Sequence, residues 1–364
     1  MTRARELANL AGVSETALSN RNLIINGAMQ VAQRGTSVTS ISSGSSYHTC
    51  DRWNTQFGSA GTFTQSQSTT APDGFTTSLK LDCTASDANP DYLLITHRIE
   101  GQNVQHLQKG TSSAKKTTLS FHVKSNKTGT YQVNLRDSDN SRLIGATYSI
   151  SSANTWEKKI VTFAGDTSGV LANDNGNSLS LEWWLASGST YNSGAVPTAW
   201  EAIANGDRAA GLNVAIGAST DDEFLITGIQ LEIGEQATAF EHRSFSEELN
   251  YCKRYYEHSY PYGTSAGSAN GGIGAYHIHA GRSRGNNYGL VTQRYTVEKR
   301  AAATVTMFGY DGTSGQVANG DTGANLGAST VIQNGTTSFL PKNASGAGFA
   351  DVALLYHYSA DAEL

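Results

Sequence analysis

The sequence predicts an all-β protein: a jelly-roll β-sandwich followed by a second, smaller β-sandwich, with a short N-terminal helix. Three observations carry this. Apolar and polar residues alternate at period two in one segment after another, the mark of strands buried on one face. Clusters of Ser, Thr, Asn and Gly (SNKTG, RDSDNS, NDNGN, NSG) separate those segments and read as turns. The chain of 364 residues is 38% hydrophobic and only 16% charged, with 38 Gly and 5 Pro. That is ample apolar surface to fold, and neither a collagen nor a proline-rich linker composition.

Residues 1–21 differ from the rest. Ala4, Leu7, Ala8 and Ala11 recur near helical spacing and Gly12 follows as a stop. Such a helix is too short to stand alone in water, so it is expected to dock on another copy of the chain or on a partner.

Residues 22–243 form the expected jelly roll, with about a dozen short strands. SLKLDC places Leu79, Leu81 and Cys83 on one face. TTLSFHVKS does the same with Leu119, Phe121 and Val123, and GTYQVNLRD with Tyr131, Val133 and Leu135. FLITGIQLEIG aligns Leu225, Ile229, Leu231 and Ile233 against Gln230 and Glu232. A short helix near Ile99–Leu107 is expected to cover one end.

Residues 244–258 read as a connecting helix. Ser244 stands three residues before Glu247, a capping box. Glu247 and Glu248 lie in the first turn and Lys253 and Arg254 later, an order that suits the helix dipole. Residues 259–364 return to strands with more Gly, ending on DVALLYHYSADAEL, where Val352, Leu354, Tyr356 and Tyr358 alternate. This is the second sandwich, its final strand tied into a sheet.

The formal charge is −5, with no basic block, which argues against a nucleic-acid partner. No apolar run is long enough to span a bilayer, and the N-terminus lacks the apolar core of a secretory signal. The 3 Cys (Cys50, Cys83, Cys252) have no metal spacing and read as buried thiols of a protein made in a reducing compartment. There is no Walker-type loop and no H-E-x-x-H. DSDNS at 137–141 starts like a calcium loop but lacks its central Gly and terminal Glu, so a β-turn is expected. The run Asp221, Asp222, Glu223 reads as a solvated loop, or as part of a calcium shell. Nothing local singles out a carboxylate pair, and the 9 His are scattered. No catalytic residue, metal or cofactor is assigned.

Sugar recognition needs aromatic rings out of phase with the core, because the apolar face of a pyranose lies on a ring. In SLEWWLAS, Trp183 shares a face with Leu181 and Leu185, so it belongs to the core. Trp184 shares the other face with Glu182 and Ser180, either as a platform or packed under a neighbouring loop. Trp53 reads as core and Trp156 as an edge staple. Trp200, in a Pro/Thr/Ala loop, is open to either role. The second sandwich offers Tyr262, Tyr276, His277, His279 and Tyr288 among Gly and Ser, with Tyr260 and Tyr295 in the same cluster. That composition suits an adaptable recognition surface, or ordinary strand Tyr. The candidate receptor contacts are thus Trp184, Trp200, Tyr262, Tyr276, His277, His279 and Tyr288.

Several tracts, in order, resemble a module of tailed-bacteriophage tail fibres and related receptor-binding virion proteins. They are NLIINGAMQVAQRG, YHTCDRWN, RIEGQNVQHL, LSFHVKSNKTGTY and TGIQLEIGEQATAFEHRSFSEELNYCKRYY. The tract KRAAATVTMFGYDGTSG … GFADVALLYHYSADAEL resembles the terminal β domain that often follows. TRARELANLAG resembles their N-terminal segments. The resemblance implies a homotrimeric virion structural protein made in the host cytoplasm, attached to other tail proteins through residues 1–21. Its jelly roll is similar to carbohydrate-binding modules, and residues 259–364 are the expected contact with host surface glycans. It implies no catalytic residues.

Three functions compete on these grounds. The first is a receptor-binding protein that adsorbs to surface glycans. The second is a structural component linking the tail to other fibre proteins. The third is an enzyme cleaving surface polysaccharide, motivated only by the capacity of sandwiches to host carboxylate pairs.

Overall fold

A computed structural model describes residues 20–279, 291–343 and 353–364. The expected N-terminal helix around Ala4–Ala11, and with it Val352 and Tyr288, lie outside the described residues. The chain divides into two compact units: residues 1–30 with 37–244, and residues 31–36 with 245–364.

The first unit is the jelly roll. Its strands are β1 (Ser37–Ile41), β2 (Gly44–Ser46), β3 (Asn54–Gly58), β4 (Thr62–Ser68), β5 (Ser78–Ala85), β6 (Tyr92–Glu100) and β7 (Thr117–Ser125). Then come β8 (Gly129–Asp137), β9 (Arg142–Ile150), β10 (Glu157–Phe163), β11 (Asn177–Ser187), a short α1 (Ser189–Asn192), β12 (Glu201–Ala202) and β13 (Glu223–Ile233). They form a six-stranded sheet, β1-β4-β5-β13-β7-β10, and a seven-stranded sheet, β12-β9-β8-β11-β6-β3-β2, antiparallel throughout. The expected helix near Ile99–Leu107 is two 3-10 turns, Gly101–Asn103 and Gln105–Leu107.

The alternating residues face one another between the sheets. Leu79, Leu81, Leu119, Phe121, Val123, Tyr131, Val133, Leu135, Trp53 and Trp183 all join one core cluster. Burying each such aliphatic stabilises the fold by about 1.5–3 kcal/mol. Trp183 sits with its ring 5.7 Å from those of both Trp53 and Phe121. Cys50, Cys83 and Cys252 are buried free thiols, and burial pushes that of Cys50 up to about 12.

β13 departs from strict period two. Its register shifts between Thr227 and Gln230, where Gly228 adopts φ +62. Phe224 and Ile226 face the core before this bulge and Ile229 and Leu231 after it, which puts Leu225 on the opposite face. DSDNS is the β8–β9 turn, as expected. In the acidic run, Asp222 accepts from the backbone of Gly217 and Ser219 and from Lys127, and Glu223 pairs with Lys80 at 2.8 Å.

The second unit begins with α2 (Phe245–Lys253). The helix expected to connect over 244–258 stops at Lys253. It is followed by β14 (Tyr256–His258), β15 (Tyr276–His279), β16 (Gln293–Arg294), β17 (Thr304–Phe308), β18 (Gln316–Asn319), β19 (Asn325–Ile332), β20 (Ser338–Asn343) and β21 (Ala353–Asp361). Residues 31–36, expected in the jelly roll, group here because their polar side chains are satisfied here. Gln33 Nε2 donates to the Tyr256 carbonyl at 2.8 Å, and Arg34 bonds Asp361 at 3.0 Å with its guanidinium 3.7 Å from the Tyr256 ring.

β21 is the organising strand, pairing with β14, β15, β17 and β18. The ladder continues β18-β19-β20-β16. Phe339 on β20 packs its ring 5.1 Å from that of Tyr358 on β21, although these strands do not pair. The ladder therefore folds over on itself, with Leu354, Tyr356, Tyr358, Met307 and Val317 sealed inside. Lys299 and Glu257 pair at 2.7 Å within this unit, both buried, and Glu257 also accepts from Tyr358 and Thr296. Burial raises the Glu257 carboxyl, but Lys299 and these hydroxyls outweigh it and hold the group low.

Candidate functional site

The outer face of the seven-stranded sheet has the residues of a binding groove. Gln132 and Asn134 on β8, Glu182 and Trp184 on β11 and Leu94 on β6 all lie on it. The chain itself fills that groove. The segment 188–213 crosses the face and satisfies its polar atoms one by one. Gln132 Nε2 donates to the Asp207 carbonyl at 2.9 Å, and its Oε1 accepts the Gly211 amide at 2.7 Å. Asn134 Nδ2 donates to the Arg208 carbonyl at 2.7 Å. Arg208 bonds Glu182 at 2.9 Å and lays its guanidinium 4.9 Å from the Trp184 ring. Trp184 packs with Leu94, Ala209 and Tyr191, donates its indole N–H to Glu182 at 3.3 Å, and is 1% exposed. Trp184 is therefore no platform. Strand phase put it on the outer face correctly, but a loop folded over that face.

Trp200, on the same segment, packs instead against the core between the sheets. Its Nε1 donates to the Ala164 carbonyl at 2.7 Å, and Lys109 Nζ lies 4.9 Å from its ring. Lys109 is buried and pairs with Asp137 and Asp166, and Arg142 bonds Asp166 at 2.7 Å. Burial raises the Asp166 carboxyl, but these cations outweigh it and hold the group low. The cleft beside Trp200 measures about 20 Å³, room for one water and not for a sugar.

The second unit distributes its candidates differently. Tyr262 is exposed, its hydroxyl accepting the Ala32 amide at 3.1 Å and its ring edge-on to Phe245. Tyr276 is half-buried, 5.9 Å from the Tyr356 ring and 5.8 Å from that of Tyr358. Tyr260 and Tyr295 are buried. His279 is placed by its backbone, opposite Ala353 in the ladder. Tyr288 lies outside the described residues. Gly263–Gly267 reads G-x-S-x-G, but it sits among turns between two strands and not at a strand-to-helix elbow.

The open aromatic surface lies where sequence reasoning did not place it. Tyr310, in the turn after β17, is 38% exposed. Glycines of two other loops pack against it, Gly323 over one face of the ring. A Cβ at Gly323 would come within 3.3 Å of ring atom Cδ1, and one at Gly272 within 3.5 Å of Cε2. Both have positive φ, +73 and +78, so side chains are disfavoured there on conformational as well as steric grounds. The ring is thus backed on one face by the Gly323 loop.

Beside it, Asn325 Nδ2 donates to both carboxylate oxygens of Asp311, at 3.0 and 2.9 Å. That bond and the Thr313 amide hold the Asp311 carboxyl low, hence ionised. The β18–β19 turn is braced by Asn319, whose side-chain oxygen accepts the amides of Asp321 and Thr322. His277 is exposed on the far side of that turn, against Gly320. Tyr310, Asp311, Asn325 and the turn thus lie together, a ring flanked by hydrogen-bonding groups. Among the described residues neither Asp311 nor Asp321 has an ion-pair partner. The signal in the sequence was the G-Y-D-G tetrapeptide, an aromatic set between glycines in a turn.

No protein-family model matches the chain, and no curated protein does. Solved structures to which it is similar include a tailspike domain and carbohydrate-binding modules. One is the enzymatically active domain of tailspike protein 4 of bacteriophage CBA120, at 11% identity and TM-score 0.32, over 58% of this chain and 21% of that one. The chain thus spans about a fifth of that tailspike chain. A second is a putative sugar binding protein from Bacteroides thetaiotaomicron, at 12% identity and TM-score 0.34, over 59% of this chain and 100% of that one. A third is the family 11 carbohydrate-binding module from Clostridium thermocellum in complex with a mixed-linked tetrasaccharide, at 13% identity and TM-score 0.27, over 57% and 99%.

Proposed function

We propose that this chain is a tail-fibre-type virion protein that attaches to glycans on the host surface through its second unit. The observation that carries the glycan part is Tyr310, half-open and backed on one face by the Gly323 loop, with the Asp311–Asn325 pair beside it. A pyranose lays its C–H face on the ring, and its hydroxyls donate to the Asp311 carboxylate and exchange hydrogen bonds with the Asn325 amide. Two carboxylates without cation partners repel an anionic sugar, so the ligand of this surface is a neutral one. The site recognises without cleaving: it holds its ligand, and the protein is no enzyme.

The tail part rests on the sequence tracts that resemble tail-fibre proteins. In that reading residues 1–21 engage other tail proteins and three chains associate. Three linked sites raise avidity without any new contact. The structural-connector reading is favoured by a different observation, the exposed pair Phe245 and Tyr262 at 42% and 46%, which suits burial against another protein.

The test is adsorption. The full chain is expected to bind neutral glycans on an array and to block phage adsorption, with Tyr310→Ala abolishing both while the protein stays folded by circular dichroism. A folded chain that binds no glycan, but is covered over residues 259–364 in a virion map, supports the connector instead.

A further inference from the structure

The outer face of the six-stranded sheet carries a second aromatic surface of opposite charge. It is built at the β13 bulge. A Cβ at Gly228 would come within 2.6 Å of Phe75 Cζ and 2.8 Å of His122 Nδ1, so a ring and an imidazole lie directly over bare backbone. Phe75 gathers the rest: its ring centroid is 5.0 Å from that of Phe240, 5.3 Å from His242 and 5.3 Å from His122. Phe240 and His242 are 4.8 Å apart. His242 is exposed, and Phe75, His122 and Phe240 are half-exposed. The first unit thus has an open four-ring surface on this sheet, where its other sheet has a closed one.

The charges around it are cationic. Leu119, Phe121 and Val123 face the core, so His122 and Lys124 face outward. Lys158 stands directly opposite His122 in the β7–β10 register, one diagonal step from Lys124. Neither lysine has an ion-pair partner among the described residues. Of the acids near these rings, Asp73 is exposed in the turn before Phe75 and the others are engaged. Asp82 and Glu223 bind Lys80, Glu232 accepts from Thr238, and Glu241 accepts the amides of Asn20 and Asn22. His122 Nδ1 is buried, turned toward the bulge, and has no hydrogen-bond partner. Burial and Lys158 push this imidazole down, so it is neutral at pH 7 and the positive charge belongs to the lysines.

We infer that this face binds an acidic saccharide: a sugar ring stacked on Phe75, Phe240 and His242, with its carboxylate or phosphate between Lys124 and Lys158. Stacking selects the ring and the lysine pair selects the anion. The site is independent of the Tyr310 surface and opposite to it in charge preference.

The experiment titrates the full chain and its Tyr310→Ala variant, by calorimetry at low and at moderate salt, with a galacturonate oligomer, its carboxyl-reduced neutral counterpart and a sugar phosphate. The preference is read in the variant, where the neutral-sugar surface is absent. The acidic oligomer is expected to bind about tenfold or more tighter than the neutral one, and more weakly as salt rises. The double variant Lys124→Ala/Lys158→Ala, at two surface positions, is expected to lose that preference, while Tyr310→Ala keeps it. Binding by the uronate alone assigns the anion as carboxylate, by the sugar phosphate alone as phosphate, and by both as either. Equal binding of acidic and neutral oligomers, binding by none, or an unchanged preference in the double variant overturns the inference. Because Tyr310→Ala is scored separately, failure here is distinct from failure of the Tyr310 surface.

Discussion

Two outward-facing aromatics, one in each unit, meet opposite fates. On the seven-stranded sheet of the first unit, Trp184 stands among polar side chains and is sealed by segment 188–213, with Arg208, Gly211 and the Asp207 carbonyl filling its hydrogen bonds. In the second unit, Tyr310 stands among polar side chains and stays 38% exposed, with the Gly323 loop against one face. Local composition is much the same at both places. The difference is whether the chain supplies its own ligand. A face whose polar atoms are saturated from within is a scaffold, and a ring whose neighbours keep unused lone pairs is a contact surface.

The largest expected effect breaks the comparison on the closed side. Trp184→Ala removes a fully buried indole and should cost about 3–5 kcal/mol of first-unit stability. All 5 Trp lie in the first unit, so urea unfolding followed by the remaining indole fluorescence reads this unit alone. Glycan binding should be unchanged. A folded variant of normal stability that loses binding would return Trp184 to the role of platform.

Next comes Arg208→Ala. It takes away the cation over Trp184 and one of the two arginines on Glu182, leaving Arg136 at 3.4 Å. The loss should be about 1–3 kcal/mol, smaller because Glu182 keeps a partner. Faster hydrogen exchange confined to residues 188–213 would mark it as loosening of the segment, and uniform exchange would contradict that segment's role as a cover.

The second unit has a pH signature to sharpen the contrast. His357 stacks on Tyr260 at 3.8 Å and its two nitrogens meet Ser259 and Asn270, each at 3.0 Å. Burial, with a smaller contribution from His258, pushes it down from 6.5 to about 4. The unfolded chain takes up this proton as pH falls through 6.5, and the folded chain does not until about 4. Stability is therefore full above 6.5 and declines as pH drops toward 4. In His357→Gln the stability of the second unit, read by hydrogen exchange of Ala353–Asp361, should fall less over that window. An unaltered slope would assign the decline elsewhere.

Much of the fold was legible in the sequence because it depends on neighbours two residues apart. Leu119, Phe121 and Val123, or Leu354, Tyr356 and Tyr358, alternate and are buried together. The pattern failed where one residue was added: Gly228 bulges, and Leu225 leaves the face assigned to it. It failed differently for Trp184, whose strand phase was right and whose cover comes from another part of the chain. Among the candidates, Tyr262 and His277 are exposed, whereas Trp184 is sealed and Trp200 pinned by Ala164 and Lys109. Tyr310 was missed because its setting is assembled from three loops, those of Gly272, Tyr310 and Gly323, which no local period connects.

The most direct measurement sets the two rings side by side: neutral-glycan affinity and first-unit stability for Tyr310→Ala and Trp184→Ala. Tyr310→Ala should leave stability within about 0.5 kcal/mol, as for a surface change, and lower affinity at least about tenfold, as loss of a stacked ring does. Trp184→Ala should do the reverse. Glycan binding that survives Tyr310→Ala intact would contradict the account.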